Sequence, residues 1–309
     1  MDELLDGIVP AGNILSISSH VVHGSVGNDA LQFPLNLRNW NIDCIYTTNL
    51  SAHPGHGQFT GVKVEPTLIK DLISGLRDLE LDNNYQVIII GYIASSDNLQ
   101  TIWNDVLLNK SIENSCIIID PIMGDNGKIY VSNEIVELYI ELLTKNEVII
   151  DLLTPNQFEM ELLSGITINS WESMLKALDV FCAKYTKVKN VVITSVIIDN
   201  IMYCVGASKS KVFYYKVEQV EAIFSGSGDL FLGILTDEFI KTNKNLQISL
   251  CKTINTVAKV LKLSYKIMKN DKFTSKLING KPYIPDLRLI ESKNCLLEDS
   301  EVYDPVYLK

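Results

Sequence analysis

The sequence predicts an α/β fold in three layers, a mostly parallel central sheet flanked by helices on both faces. Continuous apolar runs, VIIIGYI from Val87 and CIIIDPIMGD from Cys116, have the composition of strands buried on both faces. Segments of helical spacing alternate with these runs, as crossovers between parallel strands require. Polar and glycine residues gather just after the runs, where sheets of this kind bind ligands.

Taken in order, NILSIS from Asn13 reads as a short buried strand, and a helical pattern runs from Asp29 to Asn39. DCIYTTNLS from Asp43 is the next strand, and HPGHGQFTG after it, with three glycines and a proline, is too irregular for an element of its own. PTLIKDLISGLRDLE is a helix with Leu68, Ile69, Leu72, Ile73 and Leu76 at helical spacing, and SDNLQTIWNDVLL is a capped helix between the strands at Val87 and Cys116. VIIDLL is a short strand, broken by Pro155 ahead of a helix beginning near Asn156; SWESMLKALDVFCAKY is a helix and VVITSVI a strand. IMYCVGASKSKVFYYK reads as a hairpin, two helices cover LFLGILTDEFIKT and LQISLCKTINTVAKVLKLSYKIM, and the tail from Lys281 lies against the sheet edge. No repeat or linker divides the 309 residues, so residues 1–309 are expected to form one domain.

A formal charge of -10, from 27 basic and 37 acidic residues, argues against a nucleic-acid or membrane partner. MDELLDGIVPAGN carries no basic leader pattern, and no apolar run reaches the roughly 18 residues of a membrane span. The expected setting is the cytoplasm, with the nucleus also open. Six cysteines are scattered without CxxC spacing, mostly in apolar runs, and are expected neither to pair nor to bind zinc.

The chemistry centres on FSGSGDLFLGIL from Phe224. Backbone N–H groups around Gly226, Ser227 and Gly228 can face one anion, helped by the helix dipole, while Asp229 could take a proton from an attacking hydroxyl. Asp229 as a simple helix cap is the alternative, and the turn alone leaves both open. Asp120 ends an Ile-rich strand and Asp125 lies in the same loop; with Asn156 and Glu159 at the next strand end they would converge as oxygen ligands suited to Mg²⁺. Ser19, Gly91, Tyr92, Thr154, Thr194 and Ser195 complete the set at strand ends.

All four histidines form two HxxH pairs, His20 with His23 and His53 with His56. A four-histidine metal site is not expected, because Pro54 and Gly55 exclude a helix there and no acidic partner is near in sequence. They read as loop histidines, lining a pocket or solvated.

Together these motifs resemble the pyridoxal kinases of the ribokinase-like superfamily. SHVVHGSVGNDALQFPL, GYI, IDPIMGD, LTPNQFEMELLSG, VVITS, FSGSGDLFLGIL and DLRLIESKNCLLEDSEVY follow in the family's order over nearly the whole chain. The resemblance implies ATP-dependent phosphorylation of a B6 vitamer, with Asp229 as base and Gly226, Ser227 and Gly228 as the anion hole. Ser19, His53, Pro54, Tyr92 and Tyr130 would border the substrate. Asp120, Asp125, Thr154, Asn156, Glu159, Thr194, Ser195 and Ser227 would serve ATP, with Mg²⁺ organised by Asp120, Glu159 and Thr154. A monovalent cation such as K⁺ and a homodimer are also implied.

Where the family usually has SNHT this chain has SAHP, so Ala52 and Pro54 replace an amide and a hydroxyl. His56 stands where an aromatic residue is common, and the loop from Asp125 to Tyr130 is short. The core is retained and the substrate side altered, which leaves a hydroxymethylpyrimidine kinase or a weakly catalytic B6- or nucleotide-binding paralogue as alternatives.

Overall fold

The computed structural model describes residues 11–209, 211–269, 277–278 and 280–308. The amino-terminal stretch considered above as a leader lies, for its first ten residues, outside this range. Strands β1 (Gly12–His23), β2 (Trp40–Ala52), β3 (Gly61–Lys63), β4 (Val87–Ile90) and β5 (Cys116–Ile119) are joined by helices α1 (Asn28–Leu37), α2 (Pro66–Asp78) and α3 (Ser96–Ile102). A small hairpin, β6 (Gly124–Asp125) and β7 (Lys128–Ile129), precedes α4 (Asn133–Lys145), β8 (Leu152–Leu153), α5 (Gln157–Ser164) and α6 (Trp171–Lys184). Then come β9 (Asn190–Ile198), β10 (Ile201–Ser208), β11 (Lys211–Lys216), β12 (Ile223–Phe224), α7 (Ser227–Lys241) and α8 (Leu246–Met268). The chain closes with β13 (Leu277–Ile278), β14 (Lys281–Ile284), α9 (Lys293–Leu297) and β15 (Val306–Tyr307).

Among the described residues the main sheet runs β15-β11-β10-β9-β8-β5-β4-β1-β2-β3. Its centre, β2 to β9, is parallel, and both flanks are antiparallel. Successive residues point to opposite faces of a strand, so Ile88, Ile90, Ile117 and Ile119 join one apolar layer while Val87, Ile89, Cys116 and Ile118 join the other. The first layer packs against helices α2 to α6 and the second against α1, α7 and α8, which gives the three layers expected.

Boundaries moved in instructive places. β1 continues five residues beyond the Ser18 that ended the NILSIS reading, to Gly12–His23 in all, with a bulge in its pairing to β2 between Ser18 and His20. β9, Asn190–Ile198, contains the whole VVITSVI reading with Thr194 and Ser195 inside it, and has a register shift against β10 at Tyr203/Val205. Ser19 and Ser195 therefore sit at irregularities within strands rather than after them; such bulges redirect a side chain without ending the sheet. The histidine-glycine loop holds a one-turn 3₁₀ helix, Pro54–His56, and its last residue, Gly61, opens β3. The α3 helix gives way to a π turn at Trp103–Leu107. Helix α4 and the β6–β7 hairpin were not anticipated at all.

Candidate active site

Gly226 precedes α7 at φ 76°, a left-handed conformation, and a Cβ there would run into the Ser25 carbonyl oxygen. Only glycine meets both demands without strain. At Gly228 a Cβ would touch nothing within 4 Å, so the helix mouth is open toward solvent. The first N–H groups of α7 lack intrahelical partners and face this opening, with the positive end of the helix dipole behind them.

Asp229 is the third residue of α7, and the cap position belongs to Gly226 without a side-chain cap bond. The simple capping role considered for Asp229 is therefore not what the structure has. Burial raises its pKa; N–H groups of Gly27 and of Asp229 itself oppose that, and the nearby charge of Asp29 adds to it. Asp29 in turn binds His20 Nδ1 at 2.9 Å and accepts the Val21 N–H at 3.2 Å.

Across the mouth, Asp120 leaves β5 where its N–H still bonds the Ile90 carbonyl at 2.8 Å. Its pKa stands well above the usual carboxylate range, first through burial and then through the charges of Glu159 and Asp229. Glu159 is 2 % exposed, and both its oxygens accept backbone N–H groups, from Met123 at 2.8 Å and from Asn156 at 2.8 Å. Burial still lifts it to about 7. Asn156 caps α5 through the Glu159 N–H at 2.9 Å and donates to the Gly124 carbonyl at 2.7 Å, so it locks the β6–β7 hairpin to the helix.

Thr154 is buried beside Asp120 and eases its ionisation, yet its Oγ1 has no partner at hydrogen-bonding geometry. Asp125 receives the N–H of Asn126 at 2.8 Å and is raised by burial. The N–H of Thr194 bonds the Pro155 carbonyl at 3.0 Å, and Ser195 takes φ 56°. Tyr92 follows β4, its N–H held by Ser18 Oγ at 3.1 Å and its carbonyl by Thr47 Oγ1 at 2.7 Å. Tyr130 is 60 % exposed and feels the charges of Asp125 and Glu159, which puts it on their side of the mouth. Ser19 lies against Gly27, and Pro54 opens the 3₁₀ turn.

A family model described as phosphomethylpyrimidine kinase matches residues 45–272. Pyridoxal kinase of Arabidopsis thaliana is 34% identical over 292 residues, covering 91% of this chain and 90% of that protein. Pyridoxal kinase of Homo sapiens is 30% identical, covering 94% and 96%. The chain belongs to this kinase family. A solved pyridoxal kinase from Leishmania donovani, in complex with ADP and pyridoxamine, is 26% identical with a TM-score of 0.83, covering 96% of this chain and 99% of that one.

Within the family frame, several contacts had no sequence signal. His53 Nδ1 lies 3.2 Å from Ser225 Oγ, and Tyr283 also bonds Ser225, so the 53–56 turn and β14 both brace the residue before Gly226. No acid is near the histidines in sequence, but the fold supplies two: Asp29 partners His20, and Asp286 stands by His23 and His56. Asp286 lies 230 residues from His56 along the chain, a separation no local pattern could span. Asp29 and Gly27 were visible in the quoted GSVGNDAL stretch, where glycine before an acidic helix start was the available signal.

Proposed function

We propose that the chain transfers the γ-phosphoryl group of ATP to the 5′-hydroxymethyl group of pyridoxal, pyridoxine or pyridoxamine, a step of vitamin B6 salvage. One observation carries this reading: the half-buried Asp229, raised in pKa, stands at the open mouth of α7 with Asp120 close enough to repel it. A base beside an anion-binding helix end and a metal-ready carboxylate is what phosphoryl transfer to an alcohol requires.

Asp229 accepts the hydroxyl proton as the oxygen attacks, and its raised pKa makes it a stronger base than an ordinary carboxylate. N–H groups of Gly226, Ser227 and Gly228 hold the charge on the transferring group. Ser19, His53, Pro54 and Tyr92 would orient the vitamer, with Tyr130 closing from the hairpin. Asp125, Asn156, Thr194, Ser195 and Ser227 would line the nucleotide phosphates.

A divalent ion with the nucleotide, assigned as Mg²⁺, fits Asp120 and the partnerless buried Thr154 Oγ1, an all-oxygen set. When bound it would offset the phosphate charge. Glu159, with both oxygens on backbone N–H groups, would act through water or through its field. K⁺ near Thr154 and Thr194 belongs to the same proposal. Leu68 and Leu72 on α2 and Leu79 just after its end are exposed and support a homodimer. That none of the six cysteines is in a disulfide supports a cytoplasmic setting.

A coupled assay with Mg·ATP across the three vitamers and hydroxymethylpyrimidine tests the substrate. Turnover of a B6 vitamer is expected to exceed that of the pyrimidine; the reverse ranking, or binding without turnover, would overturn it.

A further inference from the structure

His23 closes β1, His56 ends the 3₁₀ turn after β2, and Asp286 leaves β14; their ligand atoms all lie within 4.8 Å of one another. His56 Nε2 is 3.4 Å from both oxygens of Asp286, and His23 Nε2 is 3.7 Å from Oδ2. The two imidazoles meet edge-on, with centroids 5.6 Å apart.

These separations are longer than the usual N–H···O bond, which lies at about 2.7–3.2 Å. Donors each about 2.0–2.2 Å from a tetrahedral Zn²⁺ stand about 3.3 Å apart, close to the two spacings to Asp286. The ligand atoms of His23 and His56 lie within 4.8 Å, and the His23 side chain, 72% exposed, has room to turn and close that edge. The carboxylate is held at the centre, since its side chain is 16% exposed. Gly24, at φ 107°, makes room for it: a Cβ there would run into Asp286 Oδ1.

We propose that His23, His56 and Asp286 form a Zn²⁺ site with a fourth position open to water. Two imidazoles and one carboxylate favour a zinc-type ion over Mg²⁺, which takes oxygen ligands, whereas the cluster at Asp120 offers oxygen alone. The chain thus sorts two metals by donor type. Zinc here ties the loop after β1, the 53–56 turn and the exit of β14 into one clasp. Two of those segments also brace Ser225, through His53 and Tyr283, so the clasp steadies the approach to Gly226. The site rests on these three side chains and not on the kinase assignment.

The test is calorimetric titration of chelator-stripped protein with ZnCl₂, with MgCl₂ in a parallel run, and Co²⁺ absorption as a report on the ligands. One Zn²⁺ per chain is expected, with affinity falling roughly tenfold or more in each of His23→Ala and His56→Ala, and unchanged in Asp120→Asn. Circular dichroism checks that the variants are folded, and Zn²⁺ should raise the melting temperature of the wild type but of neither histidine variant. Cobalt should give visible bands without thiolate charge transfer. Absence of stoichiometric binding, binding indifferent to both histidine variants, or a thiolate band would overturn the proposal. A chain that binds zinc in this way but phosphorylates nothing would overturn the kinase reading alone.

Discussion

The neighbouring parallel strands β5 and β8 have buried carboxylates at both ends, in opposite electrostatic settings. Where β8 begins, Asp151 binds Lys244 at 2.8 Å and Lys189 at 3.0 Å and accepts the Ile117 N–H at 3.1 Å. Burial alone would raise its pKa, but the two lysines and the N–H outweigh it and the pKa falls. Where β5 ends, Asp120 faces Glu159 and Asp229, and no lysine or arginine pairs with any of the three among the described residues. There the pKa values rise.

A third cluster follows the first pattern. Arg38 lies between Asp237 and Glu238, 2.6 Å from each, and Trp40 Nε1 donates to Asp237 at 2.8 Å. Burial disfavours the Arg38 cation, and its bonds to the two acids prevail. The fold neutralises buried charge wherever charge serves only packing. Like charges left together at one end of the sheet mark the place where an outside cation completes the balance.

The largest expected effect separates the two ends by function. Asp229→Asn should cut vitamer turnover by on the order of 10³-fold while ATP affinity changes little, and Asp120→Asn by on the order of 10²-fold, without loss of melting temperature. Wild-type turnover in Asp229→Asn would remove its role as base. Asp151→Ala should instead cost about 2 kcal/mol of stability, since it leaves two half-exposed lysines and a buried N–H without their acceptor. Denaturant titration would show this, with turnover per folded molecule near wild type; abolished turnover there would break the comparison.

A smaller effect concerns pH. The Glu159 pKa rises from 4.5 unfolded to about 7 folded, so its contribution is fully present below the unfolded value and is lost as pH rises through the folded one. Melting temperatures of Glu159→Gln should therefore decline less than wild type between those two values. Identical pH profiles would refute the unpaired setting. Smallest is the glycine pair: Gly226→Ala should cost about 1–2 kcal/mol, whereas Gly228→Ala, within α7 and with open space at its Cβ, should be neutral or stabilise by up to about 1 kcal/mol, measured by denaturant midpoint. Equal costs would deny the close approach of Ser25 to Gly226.

Much of the site was legible because parallel strands place the residues that follow them at one edge. Asp120 after CIII and Thr154 after LL follow from that rule. Ser19 and Ser195 were picked out by the same rule, but their true place, at irregularities within strands, was not legible, since a bulge arises from pairing with another strand and leaves no mark in a single run of residues. Glu159 was legible as a site acid, but not its mode: its oxygens are taken by amides from an unanticipated hairpin. The HxxH spacing did not show the histidines' partners, since each pair splits between different ones.

By itself the sequence determined the strand and helix alternation, the glycine turn at Gly226 and the carboxylates near the sheet's exit edge, because periodicity and backbone conformation are local properties. Only the tertiary structure decided which carboxylates have cations and which do not, and that Asp286 meets His23 and His56. Those outcomes depend on contacts between segments far apart in the chain, where burial and the Coulomb field are set by the whole fold.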